Sequence, residues 1–177
     1  MSESHQDRRR TANLLGALGL ALGERAAPEG PSTASDQAAL VTLAHYPDQP
    51  VEALRRTLVL THSGAVRVVD RLEAAGLVVR APAGQGRTLA LRLTPAGRDR
   101  AARVLAERLA ALEPVLEPLT AAEEATLAAL LEKLLAGLTG DRQSALRLCR
   151  LCSEEICERG ARCPVDLAVE SRSGGAR

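Results

Sequence analysis

Leu54 to Gly97 reads LRRTLVLTHSGAVRVVDRLEAAGLVVRAPAGQGRTLALRLTPAG, and its hydrophobic periodicity changes along its length. Just before and into this stretch, from Pro50 to Leu58, Ala53, Leu54, Thr57 and Leu58 share one face while Arg55 and Arg56 take the other, which predicts a short half-buried helix. It ends at Val59-Leu60. Thr61 carries a hydroxyl able to accept an unpaired backbone N–H, and Val66, Val69 and Leu72 then recur at helical spacing, so a second helix starts here. Gly76 stops it as a left-handed C-cap. Leu77–Arg80 reads as a strand, residues 81–87 as a flexible tip and 88–93 as a returning strand in which Leu89, Leu91 and Leu93 alternate with Arg92 and small residues. Thr94-Pro95 opens a further helix, with Pro where its missing N–H costs nothing.

A helix, a tight turn, a second helix with a polar start and an Arg-tipped hairpin form the order of a winged helix-turn-helix, a device that reads double-stranded DNA. The expected fold is therefore mainly α with a small β-hairpin wing, flanked by N- and C-terminal dimerisation helices. Residues 95–113 carry Ala102, Leu105, Leu109 and Leu112, continuing to Leu116, as one apolar stripe that Pro114 and Pro118 end or kink. Thr120-Ala121-Ala122-Glu123 has the pattern of a capping box, and Leu127, Leu130, Leu131, Leu134, Leu135 and Leu138 make another apolar face behind it. One winged domain is too small to bury both stripes, so a second copy of the chain, in a homodimer, is expected to cover them.

The N-terminal run Arg8-Arg9-Arg10 followed by Thr11–Gly23 imitates a secretion signal, but it is too short to span a bilayer. Glu24 and Arg25 also stand where small residues should mark a cleavage site. It reads instead as a dimer helix bearing Leu14, Leu15, Leu18 and Leu22, followed by a connector from Ala26 to Ser35. Nothing else is apolar enough to enter a membrane, and a cytoplasmic protein is expected. The chain thus divides into a dimerisation helix and connector (1–33), the winged domain (34–98), dimerisation helices (99–140) and a tail (141–177).

Three segments, Leu58-Val59-Leu60-Thr61-His62-Ser63-Gly64-Ala65-Val66, Val69-Asp70-Arg71-Leu72-Glu73-Ala74-Ala75-Gly76-Leu77-Val78 and Leu93-Thr94-Pro95-Ala96-Gly97-Arg98, resemble the MarR family of bacterial transcription regulators. The resemblance covers roughly residues 10–138. It implies a homodimer of winged helix-turn-helix subunits on a palindromic operator, acting as repressor or activator, with Arg87 of the wing in the minor groove. Two residues depart from the family pattern. Val59 stands where the turn often has Gly, so a β-branched residue must take a conformation it disfavours. Gln85 replaces the Asp that commonly pairs with the wing Arg, so Arg87 is less well braced. Many regulators of this architecture bind aromatic or phenolic effectors beside the dimer layer, but with Tyr46 the only aromatic side chain the sequence names no effector.

The whole chain carries a net charge of only +1, yet between Pro50 and Arg98 eight Arg face Glu52, Asp70 and Glu73, a local +5 that leaves −4 elsewhere. A basic reading head on an acidic body suits phosphate neutralisation. Arg is also the default cation of this chain, with 22 of its 23 basic residues, so no single Arg is diagnostic. Residues in the first turns of a recognition helix point into the major groove, which makes His62, Ser63 and Arg67 the candidates for base edges. Thr61 and Arg71 are candidates for phosphates, contacts that position without reading sequence. His62 reads equally well as a solvated surface residue, and Asp70 and Glu73 as a solvated face.

All four cysteines fall in the tail, Cys149, Cys152, Cys157 and Cys163, spaced C-x2-C-x4-C-x5-C. Four thiolates so close in sequence suit one shared ligand, a zinc ion first and an iron–sulfur cluster second. The spacing fits neither paired zinc knuckles nor the standard ferredoxin runs, although the final Cys-Pro resembles the latter. Two disulfides or free thiols remain as alternatives, weakened by the lack of a secretion signal. Zinc would staple a tail with little core of its own, whereas a cluster or reactive thiols would make it a redox sensor. A winged-helix module that binds protein, and a metal-dependent redox enzyme, are the rival classes. Against the enzyme stand the lack of a nucleotide-binding Gly motif and of any nucleophile–base constellation.

Overall fold

Residues 3–28, 32–82, 89–159 and 162–174 are described by a computed structural model. The first helix, α1 (Glu3–Arg25), ends where the Arg25 guanidinium donates to the Ala111 carbonyl at 2.6 Å. Thr33 and Asp36 then close a reciprocal capping box, so α2 (Ala34–His45) begins inside the stretch expected as connector. Two further helices follow, α3 (Val51–Leu58) and α4 (His62–Ala74).

Between them Val59 sits at φ 56° and ψ 47°, in the left-handed region. Leu60 N–H reaches back to the Arg55 carbonyl at 3.0 Å, closing the turn around it. The end of α4 is built the same way but with the residue that suits it. Gly76 has φ 70°, and Leu77 N–H bonds the Leu72 carbonyl at 2.9 Å. Gly76 marks the second end locally, and the first is marked by the Thr61 cap that follows it.

The hairpin that follows comprises β1 (Val78–Pro82) and β2 (Leu89–Leu93), antiparallel with Val78 opposite Leu93 and Pro82 opposite Leu89. Its first strand runs past the expected end at Arg80. The alternation read into the second strand fails: Ala90 and Leu91 are both fully buried and Leu89 is half exposed. The reason is tertiary, since α2, α3 and the helix that opens at Pro95 all touch β2 and Gln49 adds a bridge to Leu91, leaving neither face of its middle open. The shared core is Leu40 and Leu43 of α2, Leu54 of α3, Val68, Val69 and Leu72 of α4, and Val78 and Leu91 of the hairpin.

Thr94 caps α5 (Pro95–Leu112), accepting from Gly97 N–H. A Cβ on Gly97 would lie 2.0 Å from the Leu77 carbonyl oxygen, so the start of this helix can pass Leu77, between α4 and β1, only because residue 97 has no side chain. The seam that α5 buries is Gly97, Ala101 and Val104, one face round from the predicted Ala102–Leu105–Leu109–Leu112 stripe, which is at most partly covered. A 3-10 turn at Glu113–Val115 leads to α6 (Ala121–Leu138), whose Thr120–Glu123 capping box forms as expected. No residue of α6 is buried, and Leu130, Leu131, Leu134 and Leu138 are all exposed. The tail folds into α7 (Arg142–Cys149), α8 (Glu154–Cys157) and α9 (Pro164–Gly174), with α7 against α3 and α9 against both α6 and α7.

Candidate nucleic-acid interface and thiol cluster

Thr61 stands at φ −67°, ψ 161°, just outside α4, and its Oγ1 accepts the Gly64 N–H at 3.1 Å. This cap satisfies a donor that the first turn would otherwise leave unpaired. One face of α4 is closed by Ala65, Val68, Val69 and Leu72, with Val66 only partly covered. The opposite face therefore presents Thr61, His62, Ser63 and Arg67 outward, all exposed. Ser63 Oγ lies 3.3 Å from Thr61 Oγ1, and Arg67 Nε donates to the Ser63 carbonyl at 3.3 Å, so three of the four form one polar patch.

Arg71, expected at a phosphate, is also braced against α2. Its guanidinium bonds Asp36 of α2 at 2.6 and 3.4 Å, and Asp36 is only 4% exposed. Burial works to raise the Asp36 pKa, but the hydrogen bonds from Arg71 and Thr33 outweigh it and hold the carboxyl below its ordinary value. On the other flank Arg80 of β1 bonds Asp70 at 2.6 Å and also Glu73. Both acids are exposed, as expected of a solvated face, and they also brace the recognition helix against the wing.

The local charge is correspondingly smaller in effect than the count of +5 suggests. Arg71 and Arg92 pair with Asp36 and Asp48, both upstream of the counted stretch, and Arg55 pairs with Glu52 at 2.7 Å. Among the described residues Arg67 and Arg98 of the reading head are in no ion pair. Gln85 and Arg87 lie outside the described residues.

The four cysteines are free thiols. Together they line one cavity of about 30 Å³ with Tyr46, Arg142 and Glu154 at its margin. A hydrogen bond from the Cys149 thiol lowers Cys152 to about 7 against the effect of its burial, and the same bond, reinforced by burial, raises Cys149. Burial first, then its thiol neighbours, raise Cys157. Among the described residues no three His, Cys, Asp or Glu side chains form a ready-made ligand set, so the expected metal shell is present as a shared lining and not as an assembled site.

Through α9 the tail packs on α6, and through α7 on the reading head. His45, the last residue of α2, lies with Nε2 3.0 Å from the Cys152 carbonyl and Nδ1 3.4 Å from Glu154. Tyr46 donates to Glu154 at 3.4 Å, and Arg142 pairs with Asp166 at 2.7 Å across the tail. Neither His45 nor Asp36 was singled out as functional. Asp36 had a local signal, since it stands three residues after Thr33 in a capping pattern, but His45 had none. Among the described residues no helix is long and apolar enough to cross a membrane.

A model of the MarR family matches residues 34–88, from the start of α2 to the wing. A MarR family protein of Mycobacterium tuberculosis, Rv2887, solved in complex with salicylic acid, is 34% identical with a TM-score of 0.55, over 68% of this chain and 93% of that one. A MarR family protein from Bacillus stearothermophilus superposes with a TM-score of 0.69 at 26% identity, over 79% of this chain and 99% of that one. A probable transcriptional regulator of Pseudomonas aeruginosa is 30% identical with a TM-score of 0.53, covering 68% of this chain and 96% of its own. Between a fifth and a third of the present chain has no counterpart in these three structures. The comparison with curated proteins finds no match.

Proposed function

The chain belongs to the MarR family of transcription regulators, which are not enzymes, and from that premise we propose that it acts as a homodimer reading a palindromic operator in duplex DNA. The observation that carries this reading is the exposed face of α4, where Thr61, His62, Ser63 and Arg67 stand on a helix fixed on both flanks by ion pairs. A helix held that rigidly presents its first turns to a major groove without further ordering cost. Arg67 and Ser63 read base edges in this account, His62 joins them, and Thr61 takes a phosphate. Arg71 acts mainly through Asp36, setting the pitch of the helix, with its exposed edge toward the backbone. Arg87 of the wing is assigned to the minor groove.

The dimer is supported by the uncovered leucines of α1 and α6, which include Leu14, Leu18, Leu130 and Leu134. Work on chromosomal DNA places the protein in the cytoplasm. The thiol tail completes the reading as a metal site, zinc ahead of an iron–sulfur cluster.

Selection of bound duplexes from a random-sequence pool tests this function directly. The expected product is an inverted repeat with half-sites about one helical turn apart, bound with a steep inverse dependence on salt. Arg67→Ala is expected to weaken that binding about tenfold while leaving the dimer intact. A pool that shows no enrichment at low salt overturns the regulator reading, and unchanged affinity in Arg67→Ala overturns the assignment of the reading face.

A further inference from the structure

The four cysteines stand where the tail turns: the last residue of α7, the turn after it, the last residue of α8 and the residue before α9. Those helices are 8, 4 and 11 residues long, and their buried apolar side chains are Ala145, Val165 and Ala168. So small a core does not offset the entropy of ordering three short helices, and small folds in that position rely on a cross-link. The thiols share a cavity of about 30 Å³, which has room for a single small ion. Their chemistry selects a soft cation, since four thiolates close a tetrahedral shell around zinc.

The backbone beside this cavity is tied to α2 through His45, which meets the Cys152 carbonyl at 3.0 Å and Glu154 at 3.4 Å. At its other end α2 holds the recognition helix through Asp36 and Arg71. One twelve-residue helix therefore touches both the backbone beside the thiol cavity and the reading head.

We propose that Cys149, Cys152, Cys157 and Cys163 bind a single thiophilic divalent ion of zinc type, and that the bound ion clamps the tail to α2 and thereby steadies α3 and α4. Metal–sulfur bonds form as the thiol protons leave to solvent, so no oxidant or reductant takes part. The proposal deepens the regulator reading and rests on it only for the consequence at DNA.

The test uses the full chain purified without oxygen. Zinc, iron and sulfide are measured, thiol reactivity is followed before and after chelation, and amide hydrogen exchange is read across α2 and α3 with and without added zinc. The expected result is about one zinc per chain without sulfide, thiols that react only after stripping, and exchange in α2 and α3 slowed at least about tenfold by zinc. Cys163→Ser, with its helix content checked by circular dichroism, is expected to bind zinc at least about tenfold more weakly. His45→Ala is expected to keep zinc and lose the protection of α2. Iron with stoichiometric sulfide overturns the single ion, and thiols that react freely in the presence of zinc overturn the site. Zinc that binds without slowing exchange in α2 overturns the clamp. Since every one of these readouts is taken without DNA, failure of duplex binding counts against the regulator reading alone.

Discussion

Val59 and Gly97 show how much a single position carries here. Val59 holds a left-handed turn that a β-branched residue occupies at a cost, and its side chain is 67% exposed, so almost no packing compensates. Val59→Gly is expected to raise stability by about 1 kcal/mol in urea unfolding, the relief of strain exceeding the extra freedom of the unfolded chain. Gly97 is the opposite case. Gly97→Ala drives a methyl into the Leu77 carbonyl, against backbone that is itself pinned by the Thr94 amide at 3.0 Å. A loss of roughly 2–3 kcal/mol is expected, with α5 displaced from the hairpin, measurable as a lower urea midpoint. The strain at Val59 was readable from the turn's place in the sequence, because helix ends are set by a few neighbouring residues. The need for Gly97 was not, because the atom that excludes a side chain comes from twenty residues earlier in the chain.

At the scale of elements, α4 depends on partners that no local pattern announces. Asp36 joins Arg71 across 35 positions, and Arg80 returns from the wing to Asp70 and Glu73. Because the folded Asp36 pKa lies below its unfolded value of about 4, its contribution is present above that pH and disappears as pH falls through the folded value. Asp36→Asn should thus cost about 1 kcal/mol at neutral pH, the half-exposed Arg71 limiting the effect, and flatten the acid limb of a stability–pH curve. An acid limb identical to that of the unaltered chain would show the pair to be idle. The caps at Thr61, Thr94 and Thr120 and the stop at Gly76 were all legible, since each is a hydroxyl or glycine acting within four residues. The second strand was misread because a period-two pattern assumes one open face, and three helices close both at Ala90 and Leu91. The cysteines were legible as a group from their spacing, whereas their docking on His45 depended on how the tail folds back.

At the scale of the whole molecule, the apolar surface of α1 and α6 stands uncovered among the described residues. Leu20 is 72% and Leu138 68% exposed, and neighbouring leucines extend both patches. A second copy is the occupant that a regulator of inverted repeats requires, by symmetry. Leu130→Glu combined with Leu134→Glu is expected to give a folded monomer in sedimentation, with duplex affinity reduced by orders of magnitude because two half-sites no longer act together. A double variant that sediments as the unaltered protein would move the interface elsewhere. Twelve residues of helix, about 18 Å, separate the Asp36 end of α2 from its His45 end. If the tail binds an ion as proposed, linkage makes that strut symmetric: whatever factor the bound ion contributes to the affinity of α4 for a duplex, the duplex contributes to the affinity of the tail for the ion. On that proposal DNA is an effector of the thiol cluster, and the protein seated on a duplex would release its ion to a chelator more slowly than the free protein does.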